Sequence, residues 1–563
     1  LEGEINVTAL EQALDDVIGR HESLRTLFDE VDDAPVQYIV PSNKARVALE
    51  IETISEGELR DQLATAAGHC FDLSKDLPIR AWLFGLGKDS HVLLLLVHHI
   101  ASDGWSLGPL ARDLEMAYAA RCQDREPNWS PLPVQYADYT LWQHEILGSE
   151  TDPDSAISRQ LAYWRKTLEG LPEQLDLPSD RPRPAVASRR GNSVSLAIPS
   201  DLHIKLLDLA RQGRSSLFMV LQAGFASLLT RLGAGTDIPL GSPIAGRTDD
   251  ALNDLVGFFV NTLVLRTDTS GDPTFRELLD RVREQDLAAY SHQDLPFERL
   301  VEVINPARSF SRHPLFQVML VLQNNVQTRL KLPGLISKSF GVGNQQAKFD
   351  LSVFFTEERG QDGSPKGIDG RLEYAVDLFD HKTVELLGER LIRLLGAVAE
   401  DPDHRLSSIE LLSATERHQI LVEWNDTTRE IPQTTLPELF EAQVAKTPDA
   451  TALVFEDTSL SYGELNARAN QLARHLISFG VGPETIVGLC LERSIEMVVA
   501  LLAVLKAGGA YLPLDPEYPA DRLSFMIGDA APIRVLTTAS VSGHLPAGTP
   551  ILDLHDEELI TFL

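Results

Sequence analysis

The spacing of apolar residues changes several times along the chain, and each change marks an element. Residues 36–40 and 92–97 are short apolar runs, and the second, unbroken aliphatic sequence after His91, reads as a strand buried on both faces. A turn, HHIASDGW, follows. Leu107, Leu110, Leu114 and Tyr118 then recur at spacings of three and four, which predicts a helix with Ser106 as its cap. Amphipathic helices and apolar strands alternate in this way up to about residue 170. The stretch DLPSDRPRPAVASRRGN, residues 176–192, breaks every period with prolines and arginines and predicts a hinge. A second block runs from about 193 to 410, with a long helix over 216–232 closed by Gly233 and a strand from near Ile238. A polar, turn-rich stretch places a linker near 413–435. Beyond it, residues 436–563 alternate again, with strands at 452–455 and 486–490. No internal repeat or low-complexity tract interrupts the pattern, and the fold class it predicts is α/β.

Length and composition narrow this further. The 563 residues exceed what one core serves at about 100–200 residues per domain, so three or four packed units are expected. With 43% hydrophobic and 23% charged residues, 37 Gly and 32 Pro, the chain is neither disordered nor collagenous. No apolar run approaches the roughly 18 residues of a membrane span, and the opening LEGEINVTALEQALDD lacks the basic and apolar regions of a secretion signal. The chain opens inside a folded pattern. Lys and Arg total 50 against 82 Asp and Glu, a net charge of -32 that disfavours nucleic acid and anionic membrane as partners. Cys70, Cys122 and Cys490 lie too far apart for a zinc knuckle or a CxxC pair and read as packing thiols of a cytoplasmic protein.

The sharpest chemical constellation is His98-His99-Ile100-Ala101-Ser102-Asp103-Gly104, directly after the aliphatic strand. A strand end is a rigid mount, and adjacent histidines there point in different directions, so one can face a cavity while the other packs inward. Neutral imidazole, with an ordinary pKa of about 6.5, accepts a proton near neutral pH. Asp103 can fix the turn through an arginine or a backbone amide, and Gly104 admits close approach. The plainer reading of a His-His pair beside a core strand is a satisfied packing element. A metal site would need ligands beyond His99 and Asp103, and none lies nearby at a familiar spacing, so no metal is expected. Neither a GxSxG elbow nor HExxH occurs.

HHIASDGWS resembles the HHxxxDG signature of the condensation domains of nonribosomal peptide synthetases, relatives of chloramphenicol acetyltransferase. Further stretches match that family in its order: RHESLRTLF from Arg20, VQYADYTLW from Val134, VGFFVNTLVLR from Val256, HQDLPFERLV from His292, ARSFSRHPLFQ from Ala307 and KFDLS from Lys348. The earliest motif of the family would precede residue 1, so part of the first lobe is expected to be missing. LSYGELNARANQLARHL from Leu460 and LKAGGAYLPLDPEYP from Leu505 resemble the first motifs of adenylation domains, whereas the Ser/Thr/Gly-rich phosphate loop ending in lysine is not found, TTASVSGHLPAGTP being too unlike it. The resemblance implies two chloramphenicol-acetyltransferase-like lobes, 1–175 and 176–412, forming a V with a central tunnel, a linker at 413–435, and an incomplete adenylation subdomain at 436–563.

It also implies a reaction. A donor aminoacyl or peptidyl thioester, carried on the phosphopantetheine arm of an upstream carrier protein, acylates the amine of an acceptor on a downstream carrier. His99 would be the base or hydrogen-bond partner of the amine, and the Gly104 N–H would support the oxyanion. His98 and Asp103 would be structural, with Arg266, or else Arg25, pairing Asp103. Trp105, Ser106 and Asn261 would line the tunnel, Asn261 bonding a substrate arm. Tyr136, Asp138 and Trp142 read as a packed crossover in which Asp138 caps a helix, and Pro296 and Phe297 as the anchored start of one. No cofactor is expected to be bound by the chain itself, ATP and Mg²⁺ belonging only to a complete adenylation domain, whose activity is expected to be absent here. The motifs favour a donor whose last residue is L-configured. The competing readings are a coenzyme-A-dependent acyltransferase and an inactive docking platform for carrier proteins.

Overall fold

The computed structural model describes residues 1–32, 34–323, 330–339, 341 and 346–562. The chain divides into two compact units, Leu1–Gln419 and Ile420–Leu563.

Two larger sheets organise the first unit, beside a two-stranded pair of Thr26–Val31 with Ala34–Ile39. In its N-terminal part the helix Val7–Arg20 buries Leu10, Leu14 and Val17, and the helix Leu107–Arg121 buries Leu110, Leu114 and Tyr118; these apolar stripes pack on one another in a single core. The associated three-stranded sheet has Leu49–Thr53 parallel to Ile79–Gly85, which in turn pairs antiparallel with His91–Val97. Expected to be buried on both faces, His91–Val97 is instead half-buried along its whole length. It is one of the two edge strands, and Ile79–Gly85 takes the buried centre. The aliphatic run therefore gives a firm edge whose end opens into the HHIASDG turn.

The second sheet has six strands in the order Gly191–Pro199, Pro365–Ala375, Leu351–Arg359, Val318–Gln323, Asp237–Ile244 and Asn261–Asp268. Its pairings are antiparallel except where Val318–Gln323 lies parallel to each of its neighbours. The helix Leu217–Arg231 is apolar nearly all round and is capped by Ser216, whose hydroxyl accepts the Met219 N–H. It packs against the helices Phe275–Tyr290 and His381–Glu400, where each fully buried Leu or Phe contributes about 1.5–3 kcal/mol. The proline–arginine stretch at 176–192 is tied down rather than loose: Arg181 pairs with Asp380, and Arg183 with Asp350.

Residues 413–435 are not wholly irregular, since Ala414–Leu421 is helical and Glu416 bonds Arg390 at 2.8 Å. The second unit contains a parallel four-stranded sheet, ordered Ala510–Pro513, Ile486–Leu489, Arg534–Thr537 and Ile551–Asp553, and a separate hairpin, Thr451–Phe455 with Thr458–Ser461. Its core gathers Leu465, Leu472, Leu476, Val487, Ala500 and Val504. No helix among the described residues is long and apolar enough to cross a membrane.

Candidate active site

The edge strand His91–Val97 delivers the two histidines into a short turn with opposite environments. His98 is half-buried: its Nδ1 accepts the Ile100 N–H at 3.1 Å, and its ring meets Phe71 edge-on at 5.8 Å. His99 is exposed, and its Nδ1 lies 2.8 Å from the Ser102 carbonyl oxygen. A carbonyl only accepts, so Nδ1 carries a proton, and in the neutral ring the lone pair stands on Nε2, which has no hydrogen-bond partner among the described residues. Phe258 flanks the ring edge-to-face at 5.0 Å. Gly104 is exposed, and no hydrogen bond engages its N–H among the described residues. The half-buried Trp105 follows it.

Asp103 turns the other way, its side chain wholly shielded from solvent. Oδ1 accepts the Ser106 N–H at 2.9 Å and the Ser106 hydroxyl at 2.8 Å, while Oδ2 accepts the N–H groups of Phe259 at 3.0 Å and Val260 at 3.2 Å. The guanidinium of Arg247 stands 3.5 Å from Oδ1. Arg247 also donates to the Leu252 and Leu255 carbonyls and, at 3.0 Å, to Ser106 Oγ, with its plane 4.2 Å above Phe259. Burial lowers its pKa from the ordinary arginine value, and the Asp103 charge opposes that shift. Gly246, just before it, holds φ at +65° with Phe259 O where a Cβ would stand, so no other residue fits there without displacement.

Several expectations change here. Arg266 does not pair with Asp103: it grips Asp237 at 2.7 Å and the Thr167 and Glu169 carbonyls, because Pro239 lies opposite it in the antiparallel ladder and its side chain reaches along the strand to Asp237. Arg25 is not the partner either, since it donates to Val40 O and pairs with Glu22. Ser106 neither caps its helix nor stands open to a tunnel; it is fully buried, and its hydroxyl is consumed by Asp103, Arg247 and Gly257. Asn261 has no valence left for a substrate arm. Its amide donates to the Gln293 and Leu295 carbonyls, and its oxygen accepts from Thr262 and Phe297, fixing the turn before the helix Phe297–Ile304. Asp138 closes a capping box with Gln135.

Sequence reasoning missed Arg247, for which the only local sign is an arginine after glycine beyond an apolar strand. It also missed how thoroughly residues 256–260 are held. His21 Nδ1 accepts the Val256 N–H, Ser23 bonds Val256 O, Ser106 binds both polar groups of Gly257, the Tyr136 hydroxyl donates to Phe258 O at 2.6 Å, and Asp103 takes the next two amides. Gly257 is required by the close approach of Tyr136, whose ring would lie 2.4 Å from a Cβ. On the side of Tyr136 and Phe258 lies a cavity of about 570 Å³, walled by Tyr139, Trp142, Phe259 and Tyr290.

This fold and turn define a condensation domain followed by the start of an adenylation domain. The condensation-domain family matches residues 1–421 and the AMP-binding enzyme family residues 440–560, and the chain belongs to the condensation-domain family. Its relatives include the dimodular nonribosomal peptide synthase of Bacillus subtilis (strain 168), 55% identical over 99% of this chain and 24% of the relative. Another is the isonitrile lipopeptide synthase of Mycobacterium tuberculosis, 46% identical over 99% of this chain and 22% of the relative. The chain thus spans about a quarter of the length of these relatives. Among solved structures, the X-domain from teicoplanin biosynthesis is 39% identical, with a TM-score of 0.68 over 73% of this chain and 91% of that one. A four-domain nonribosomal peptide synthetase bound to AMP and glycine is 25% identical, with a TM-score of 0.79 over 98% of this chain and 42% of that one.

Proposed function

We propose that the first unit forms an amide bond between two carrier-tethered substrates: an upstream donor thioester, its last residue L-configured, and the amine of a downstream acceptor. The observation that carries this reading is the His99 ring on an exposed turn, whose Nδ1–H is committed to Ser102 O while its Nε2 has no hydrogen-bond partner among the described residues, with the Gly104 N–H, also unengaged among them, five residues on in the same turn. The acceptor nitrogen attacks the donor carbonyl carbon, His99 Nε2 takes the nitrogen's proton, and the Gly104 N–H meets the developing oxyanion. Collapse breaks the C–S bond, and the proton passes to the departing thiolate. A positioned base contributes about 10² to 10⁴ in rate, while holding both reactants in line contributes about 7–11 kcal/mol, so alignment is the larger effect. The phosphopantetheine arms belong to the carriers and act as substrate handles.

An AMP-binding segment directly after the condensation domain supports carrier partners over free coenzyme A, and the free Nε2 supports an enzyme over a passive docking platform. Residues 440–560 carry no glycine-rich loop ending in lysine, so we assign them no adenylation step. Free cysteines at 70, 122 and 490 support a cytoplasmic setting. Mixing the protein with two aminoacyl-loaded carriers tests the function: the acceptor carrier gains the mass of the donor acyl group. Donor hydrolysis alone, or acyl transfer to free coenzyme A in place of the carrier amine, contradicts it.

A further inference from the structure

Among the described residues the His99 ring has one hydrogen bond, from Nδ1 to Ser102 O, and that bond leaves rotation about its own axis open. The second restraint is the Phe258 ring, edge-to-face at 5.0 Å with an interplanar angle of 71°. Phe258 is itself only half-buried, so packing alone does not fix it. What fixes it is its backbone. The carbonyl of Phe258 accepts the Tyr136 hydroxyl at 2.6 Å, as short as the Ser23–Val256 bond and shorter than the others that hold residues 256–260. Tyr136 is in turn held by ring contacts with Phe259 at 5.2 Å and Tyr139 at 5.8 Å. Burial raises its phenol above the ordinary value, so the hydroxyl remains a donor at any physiological pH.

We propose that Tyr136 is a positioning residue of the active site: its hydroxyl fixes the Phe258 carbonyl, and through it the Phe258 ring that orients the His99 imidazole. Tyr136 touches no reacting group and acts only through Phe258. This rests on the reading of His99 as the base, because a ring that accepts no proton gains nothing from being oriented. Misplacing a reacting group by about 1 Å costs up to about 100-fold in rate, so loss of one hydroxyl at this distance is expected to lower kcat about 10- to 100-fold while leaving KM for either carrier nearly unchanged.

The test needs no knowledge of the amino acids carried. The protein is labelled with ¹³Cε1,¹⁵N-histidine, the His99 signal is assigned by its loss in His99→Ala, and Tyr136→Phe, Phe258→Leu and the double variant are compared, with thermal melts alongside. In the wild type a single Nδ1–H tautomer signal is expected. Tyr136→Phe is expected to broaden or split it, Phe258→Leu to do the same, and the double variant to match Phe258→Leu, because the tyrosine has no other route to the ring. An unchanged His99 signal in Tyr136→Phe, or a double variant more perturbed than Phe258→Leu, overturns the proposal. Should Tyr136→Phe fail to fold, Phe258→Leu decides alone, an unchanged signal overturning it. A perturbed signal in Tyr136→Phe together with full condensation activity in His99→Ala keeps the positioning and sinks the base reading instead.

Discussion

Asp103 holds four hydrogen bonds and one guanidinium in a pocket without solvent, and at the scale of single residues its removal is the most damaging change the site offers. Asp103→Ala leaves Arg247 buried without its counter-charge and frees the amides of Ser106, Phe259 and Val260. A loss of roughly 3–5 kcal/mol is expected, read as a lowered midpoint in urea unfolding. The partner can be established by a double-mutant cycle. Arg247→Met in the Asp103→Ala background is expected to recover part of the loss, whereas Arg266→Met is expected to add its own cost independently, since it serves Asp237. Additivity with Arg247 would show that the 3.5 Å pair contributes nothing beyond the amides. His99, Asp103 and Gly104 were legible because they sit in one contiguous turn. Arg247, 141 residues from Ser106, was not, because charge pairing across a fold leaves no mark on local spacing.

Whole elements obey the same logic through their buried polar groups. The helix Phe275–Tyr290 carries Asp286 at a position fully removed from solvent, where among the described residues only Gln222 donates to it, at 3.1 Å, and its other oxygen has no partner. Burial pushes its carboxyl from 3.8 up to about 7, with the Gln222 bond opposing. The folded state therefore binds more protons than the unfolded one between about pH 4 and 7. Asp286 stabilises the fold relatively at low pH, and that contribution is lost as pH rises through its folded pKa, with a slope of at most about 1.4 kcal/mol per pH unit. Asp286→Asn is expected to melt higher than wild type at pH 8 and to lose that advantage near pH 4; an equal melting difference at both pH values would contradict the assignment. The helix Leu107–Arg121 was readable from sequence because one face is apolar, and Leu217–Arg231, apolar nearly all round, was readable from its length between Ser216 and Gly233. The placement of His91–Val97 at a sheet edge was not, since an aliphatic run looks alike at an edge and in a centre. The Ser106 cap failed for a related reason: a serine before a helix caps it by accepting a backbone N–H, and here the Arg247 guanidinium and the Gly257 N–H already occupy the Ser106 oxygen.

On the scale of the molecule, Leu1–Gln419 and Ile420–Leu563 each enclose cores of their own. Calorimetry is expected to resolve two transitions, and removal of residues 436–563 to abolish one while leaving the other within a few degrees; a single transition lost altogether on truncation would contradict separate units. The central claim concerns His99. It is tested most directly by single-turnover condensation at saturating loaded carriers, comparing wild type with His99→Ala of equal melting temperature. The account predicts that amide formation falls by about 10² to 10⁴ with carrier binding retained. Dipeptidyl product from His99→Ala at near the wild-type rate would contradict it.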